Sequence, residues 1–234
     1  MPKRLSALLL SFASLCFFVS PVFAGTMEFV KVFGIQGEVE IRGVSDKGWR
    51  PLERDTLLEE GDQVRVNAHS ALHLVLDRSL ESMVTLGENA RLKVLRGPVA
   101  SFSLLKGALF IYREKEVASG SHFFFRILTR DVEVRMKEGG GIIESDGRGT
   151  WVRVFADRAE VTNRFNPSRK PKPEPVEEAF KFFASVHSRQ TSLERISASD
   201  YDAWQPWIKK IYVRKDLFAA EELEKEMSSW KTRA

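Results

Sequence analysis

Between Glu28 and about Asn163 the apolar side chains recur at every second position, and no other feature of the sequence constrains the fold as strongly. A period of two places alternate side chains on one face of an extended strand. Val39-Glu40-Ile41, Gln63-Val64-Arg65-Val66, Leu72-His73-Leu74-Val75-Leu76, Arg91-Leu92-Lys93-Val94, Val132-Glu133-Val134-Arg135-Met136 and Val152-Arg153-Val154 all follow it. Turn residues punctuate the runs at Gly34, Gly37, Gly43, Gly48, Gly61-Asp62, Gly87-Glu88-Asn89, Gly97-Pro98, Gly139-Gly140-Gly141 and Asp146-Gly147-Arg148-Gly149. Helical patterns of the roughly 10–15 residues that join parallel strands are missing between them. The expected fold is mainly β, with many short strands in a β-roll or sandwich-like domain over residues 25–163.

The composition then changes. Residues 164–176 are rich in Pro and Lys (Pro167, Pro171, Pro173, Pro175, Lys170, Lys172) and read as an extended, solvated linker. Beyond it Val176, Ala179, Phe180, Phe183 and Val186 fall at the three-to-four spacing of an amphipathic helix, and Thr191-Ser192-Leu193-Glu194 has the form of a capping box. Val213, Leu217, Ala220, Leu223, Met227 and Trp230 suggest a last helix. Residues 177–234 are therefore expected to form a helical aromatic tail. Its Trp204, Trp207, Tyr212 and Trp230 are binding candidates, because large rings bury much area at small entropic cost. That aromatic surface either packs back on the β domain or docks on another molecule.

At the other end, Lys3 and Arg4, an apolar stretch from Leu8 to Val19, and Val22-Phe23-Ala24 have the layout of a secretory signal peptide over residues 1–24. The apolar part falls short of the ~20 residues that cross a bilayer, and no transmembrane segment is expected after cleavage. Cleavage after Ala24 would remove Cys16, the sole cysteine, leaving packing to stabilise the fold. The formal charge of +4 falls further without Lys3 and Arg4, which argues against nucleic acid as a partner.

Candidate chemistry is sparse. His69 and His73 lack a carboxylate or cysteine cluster at ligand spacing, so neither a metal nor any other cofactor is expected. Ser79, His73 and Asp77 could be drawn as a hydrolytic set, but no Gly-x-Ser-x-Gly elbow accompanies them. Gly139-Gly140-Gly141 lacks the Lys-Ser or Lys-Thr of a phosphate cradle and reads as a permissive turn.

Several positions read as structural. Trp49 with Leu52 offers an apolar anchor, Gly61-Asp62 a tight turn into a strand, Asp77-Arg78-Ser79 a hairpin turn, and Gly107 lies in Leu104-Leu105-Lys106-Gly107-Ala108-Leu109. In order, Gly37-Glu38-Val39-Glu40-Ile41, Trp49-Arg50-Pro51-Leu52, Gly61-Asp62-Gln63-Val64-Arg65-Val66, Leu74-Val75-Leu76-Asp77-Arg78-Ser79, Val84-Thr85-Leu86-Gly87-Glu88-Asn89-Ala90-Arg91-Leu92 and Val152-Arg153-Val154 resemble the FecR domain, a periplasmic sensing domain. The likeness runs from about Val32 to Thr162. It departs from the family's common pattern at Thr129-Arg130, Gly139-Gly140-Gly141 and Asp157-Arg158, and an export signal stands where family regulators have an anti-sigma segment and a transmembrane helix.

The resemblance implies fold and partnership rather than a reaction. The expected function is that of a non-catalytic, periplasmic or secreted binding or scaffolding module of the bacterial cell envelope. Its partner would be an envelope protein or a glycan such as peptidoglycan. The alternatives are a ligand-sensing accessory of a transmembrane signalling system and, third, an envelope hydrolase.

Overall fold

The computed structural model describes residues 29–77, 81–97, 99–114, 125–165 and 172–202. They form seventeen strands and one short helix at residues 198–202. The first eight strands are β1 (Val30–Gln36), β2 (Val39–Arg42), β3 (Arg50–Pro51), β4 (Leu57–Leu58), β5 (Gln63–Val66), β6 (Ala71–Val75), β7 (Ser82–Leu86) and β8 (Arg91–Val94). A long central strand follows, β9 (Ala100–Arg113). The rest are β10 (Phe125–Leu128), β11 (Val132–Met136), β12 (Gly139–Ser145), β13 (Thr150–Ala156), β14 (Arg158–Asn163), β15 (Glu174–Glu177), β16 (Phe180–Ser185) and β17 (Gln190–Arg195).

The pairings resolve into two open layers that share β9. Sheet I runs β4-β1-β6-β7-β9-β12-β13-β16-β17. Sheet II runs β3-β2-β5-β8-β9-β10-β11-β14-β15. Neighbours are antiparallel except β9 and β10, which run parallel.

Alternation explains why the layers close on each other. Val30 and Val32 of β1, Val64 and Val66 of β5, Leu92 and Val94 of β8, Val132 and Val134 of β11, and Val152 and Val154 of β13 are all buried in one core drawn from both sheets. Phe102, Phe125 and Phe182 fill it, each at most 1 % exposed, and each such side chain contributes about 1.5–3 kcal/mol by leaving water.

Wherever the described chain passes from one sheet to the other, it turns on a residue of positive φ. These corners are Gly37, Asp55, Gly61, His69, Asn89, Gly107, Gly139, Asp157 and Ala179. A left-handed residue reverses the backbone sharply without using up a loop, which is how strands of two to seven residues can alternate between layers. Gly107 bends β9 itself, so that Ala100–Lys106 serves sheet II and the remainder sheet I. In the β9–β12 register Gly107 faces Ser145 and Gly139 faces Arg113, which puts the two glycine corners at opposite ends of sheet I.

Four sequence expectations give way to the observed strands and corners. Residues 176–195 are strands, not helix: Val176 lies on β15, Ala179 is a corner at φ 67°, and Phe180, Phe182 and Ala184 follow with a period of two. A two-residue corner between strands inserts a gap of four between apolar positions, and that gap imitates helical spacing. Thr191-Ser192-Leu193-Glu194 lies in β17, and the capping box stands instead at Ser197 and Asp200: the Ser197 N–H donates to Asp200 Oδ2 (2.9 Å) and the Asp200 N–H to Ser197 Oγ (3.4 Å).

The expected linker is shortened too. Its end, Glu174–Glu177, pairs with β14 as an edge strand, where Pro175 lacks an N–H without breaking an interior ladder. Gly139-Gly140-Gly141 is likewise not a free turn but a corner running into β12, with a bulge between Gly140 and Gly141. The expected last helix and residues 1–24 lie outside the described residues.

Candidate functional site

The outer face of sheet II carries an array of charged side chains. β2, β5 and β8 lie side by side, and their outward positions fall into two rows: Glu40, Arg65 and Arg91 in one, Arg42, Gln63 and Lys93 in the other. Lys106 of β9 continues the first row beside Arg91. Arg65 and Arg91 are therefore directly opposed like charges, an arrangement that costs stability unless something offsets it.

Part of the offset is Trp49, which enters from the loop before β3. The guanidinium carbons of Arg42, Arg65 and Arg91 lie 5.1, 4.6 and 5.1 Å from its ring centroid. Arg65 is neutralised by Glu40, to which it donates from both Nε and Nη2 (2.9 Å for the latter). That pairing holds the Glu40 carboxyl below its usual range. Arg42 and Arg91 have no such partner among the described residues. Their Nη2 groups converge on one neutral acceptor, Gln63 Oε1, at 3.1 and 2.9 Å, and Arg91 Nε is buried without any acceptor.

Farther across the same face Glu133 stands between Arg126 and Arg135, at 3.0 and 2.7 Å. Burial pushes its carboxyl up, the two guanidiniums push it down, and the guanidiniums win. On this side the charges balance, because Glu160 of β14 lies opposite Arg135 and Glu177 of β15 opposite Arg158.

The outer face of sheet I differs. Trp151 meets Phe183 in a tilted ring contact, centroids 4.6 Å apart, and lies beneath Arg153 and Lys181, whose charges Asp200, Glu144 and Glu194 balance. Burial alone would raise the Asp200 carboxyl, but hydrogen bonds from Ser197, Lys181 and Arg153 outweigh it and hold the group well below the usual carboxylate range. Asp200 thereby fastens the short helix, whose Tyr201 is buried 5.6 Å from Phe155 in a second apolar cluster with Val75, Met83, Phe110 and Ile142.

A third polar group ties hairpins together at one end of the molecule. The Asp131 carboxylate is fully buried and accepts from Thr150 Oγ1 (2.9 Å) and the Val186 N–H (2.8 Å), joining the turns after β10, before β13 and after β16. Every lone pair it uses is spent on the fold.

The positions singled out from sequence are placed as follows. Leu52 enters the core, but Trp49 is half-buried outside it, a correction: its loop precedes an edge strand and faces outward, so the ring serves cations instead of the core. Gly61 is a corner, and Asp62 Oδ2 accepts from the Glu59 N–H at 2.9 Å. Asp77 closes its hairpin by accepting from the Glu81 N–H, four residues on, at 2.9 Å. Gly107 is the bend of β9. His73 Nδ1 lies 3.0 Å from Thr85 Oγ1, and among the described residues no three metal-ligating side chains gather. Ser79, Trp204, Trp207, Tyr212 and Trp230 lie outside the described residues. The arginine array escaped sequence reading because Arg42, Arg65 and Arg91 meet only through the order β2-β5-β8. The signal present was a basic outward residue on each of three alternating runs.

Two crystal structures of a candidate anti-sigma factor from Parabacteroides distasonis are similar to this chain, each with a TM-score of 0.48, at 14 % and 13 % identity. The match covers 61 % of this chain and 63 % and 64 % of those chains, less than two thirds of their length. No protein-family model matches the chain, and no curated protein does.

Proposed function

We propose that this chain is a non-catalytic binding or scaffolding module of the bacterial cell envelope, exported by its first 24 residues and built on a FecR-like β domain. The observation that carries the reading is the platform of Trp49 with Arg42, Arg65 and Arg91 on the open face of sheet II. Guanidiniums stay protonated at any physiological pH, so they hold and orient a partner but cannot exchange protons with it. The row of cations across β2, β5 and β8 likewise suits contact with an extended anionic component. The sequence pattern from Val32 to Thr162 and the signal-like leader support the family and the compartment.

The test is to incubate the purified protein with an isolated envelope fraction, sediment it, and recover the bound component. The reading expects co-sedimentation that weakens with salt, and a bound component of unchanged mass. A component recovered chemically altered, or no co-sedimentation, would refute it.

A further inference from the structure

We propose that Arg42 and Arg91, bridged by Gln63, form an oxyanion site that takes a phosphate-type group. The inference deepens the binding reading by naming its ligand chemistry and rests on it for the open face, though not for the compartment.

Three observations converge on it. Two guanidiniums donate to the same neutral oxygen, Gln63 Oε1, so their charges meet without a carboxylate between them among the described residues. Glu40, the carboxylate in the same array, is already bidentate on Arg65. In addition, Arg65 and Arg91 are held opposite each other, with Lys93 and Lys106 flanking, although like charges across a strand pair cost up to about 1 kcal/mol each. A sheet that keeps such a row needs an anion to relieve it, and Trp49 relieves it only through the ring face. A guanidinium lying over a ring still directs its N–H edge away from the ring, and that fork matches two oxygens of a phosphate.

The contrast with sheet I sharpens the point. There Arg153 and Lys181 also approach a tryptophan, but Asp200 accepts from both, at 3.0 and 3.1 Å. On sheet II the corresponding place between the two cations is held by an uncharged glutamine. The side chain that fills Asp200's place on sheet II without its charge marks where a ligand's charge would sit.

Inorganic phosphate and pyrophosphate titrated into the protein by calorimetry test the site, with the arginine Nε–H signals of an NMR spectrum reporting its position. A second arm uses vesicles of phosphatidylcholine with and without an equal part of phosphatidylglycerol. Gln63→Glu supplies an internal carboxylate and is expected to weaken binding by on the order of tenfold or more, while Arg195→Gln on β17 leaves it unchanged. Arg42→Gln provides the second loss-of-binding variant should Gln63→Glu fold poorly. Binding of the free anions assigns a small phosphate ligand, and binding of the anionic vesicles alone assigns a lipid headgroup; either supports the site if Gln63→Glu removes it. Binding of neither probe, or binding that both variants retain, overturns it. Envelope co-sedimentation that persists in Gln63→Glu would leave the wider binding reading standing while this site fell.

Discussion

Replacing Gly107 by alanine strikes the bend that lets one strand serve both layers. Its φ of 87° lies where an L side chain is strained, and a Cβ would sit 2.5 Å from Ala90 Cα and 2.9 Å from Ala90 N, backbone atoms that cannot swing aside. A strained φ costs about 1–3 kcal/mol. Forcing a methyl group against fixed backbone adds a comparable amount, about 1–3 kcal/mol. The combined loss of about 2–6 kcal/mol is a large fraction of the ~5–15 kcal/mol that holds a domain of this kind. Gly147→Ala is the matched control, since that glycine has open space around its would-be Cβ. Urea unfolding followed by circular dichroism should show Gly107→Ala shifted to lower midpoint by about 1 M or more, at an m-value near 1–3 kcal/mol per molar, with Gly147→Ala close to the parent. Equal midpoints for the two variants would refute the corner argument.

Other outcomes follow from the same geometry. Asp131→Ala strands the Val186 N–H and leaves the Thr150 hydroxyl only Thr129 Oγ1, at 2.9 Å, as a close acceptor, and should cost about 1–3 kcal/mol in the same assay. Tyr201→Ala empties a fully buried ring site beside Phe155 and should cost about 3–5 kcal/mol, if the short helix packs on sheet I as described. Asp200→Asn weakens the contacts to Arg153 and Lys181 and should cost about 1–3 kcal/mol at neutral pH. The Asp200 carboxyl is depressed in the folded state, so its contribution is fully present above the unfolded value near 3.9 and fades as the pH falls below it. The difference between parent and Asp200→Asn should therefore be constant between about pH 5 and 8 and shrink in acid.

What the sequence reveals and what it hides divide along a physical line. Strands such as β5, β8, β11 and β13 were legible because each carries two or three buried residues on one face with charges between them. Corners resist the same reading. At Ala179 a residue with no turn preference takes a left-handed conformation, because the pairing of β15 with β14 and of β16 with β13 dictates it. Tertiary pairing overrides local propensity there, and the phase break looked helical. Ser197-Ala198-Ser199-Asp200 carried a usable cap signal in its Ser and Asp three apart, close to where a cap was expected. The platform was harder still: Trp49 reads as an apolar anchor in one dimension, and only the two-dimensional register of β2, β5 and β8 surrounds it with guanidiniums.

The central claim is that the outer face of sheet II holds a partner and leaves it chemically unchanged. Its most direct test is salt-dependent co-sedimentation of the parent protein and an Arg42→Gln/Arg91→Gln double variant with an envelope fraction, with mass spectrometry of what is bound. The account predicts that the parent pellets with an unmodified component while the folded double variant stays in solution. A double variant that pellets equally well, or a bound component recovered cleaved or modified, would contradict it.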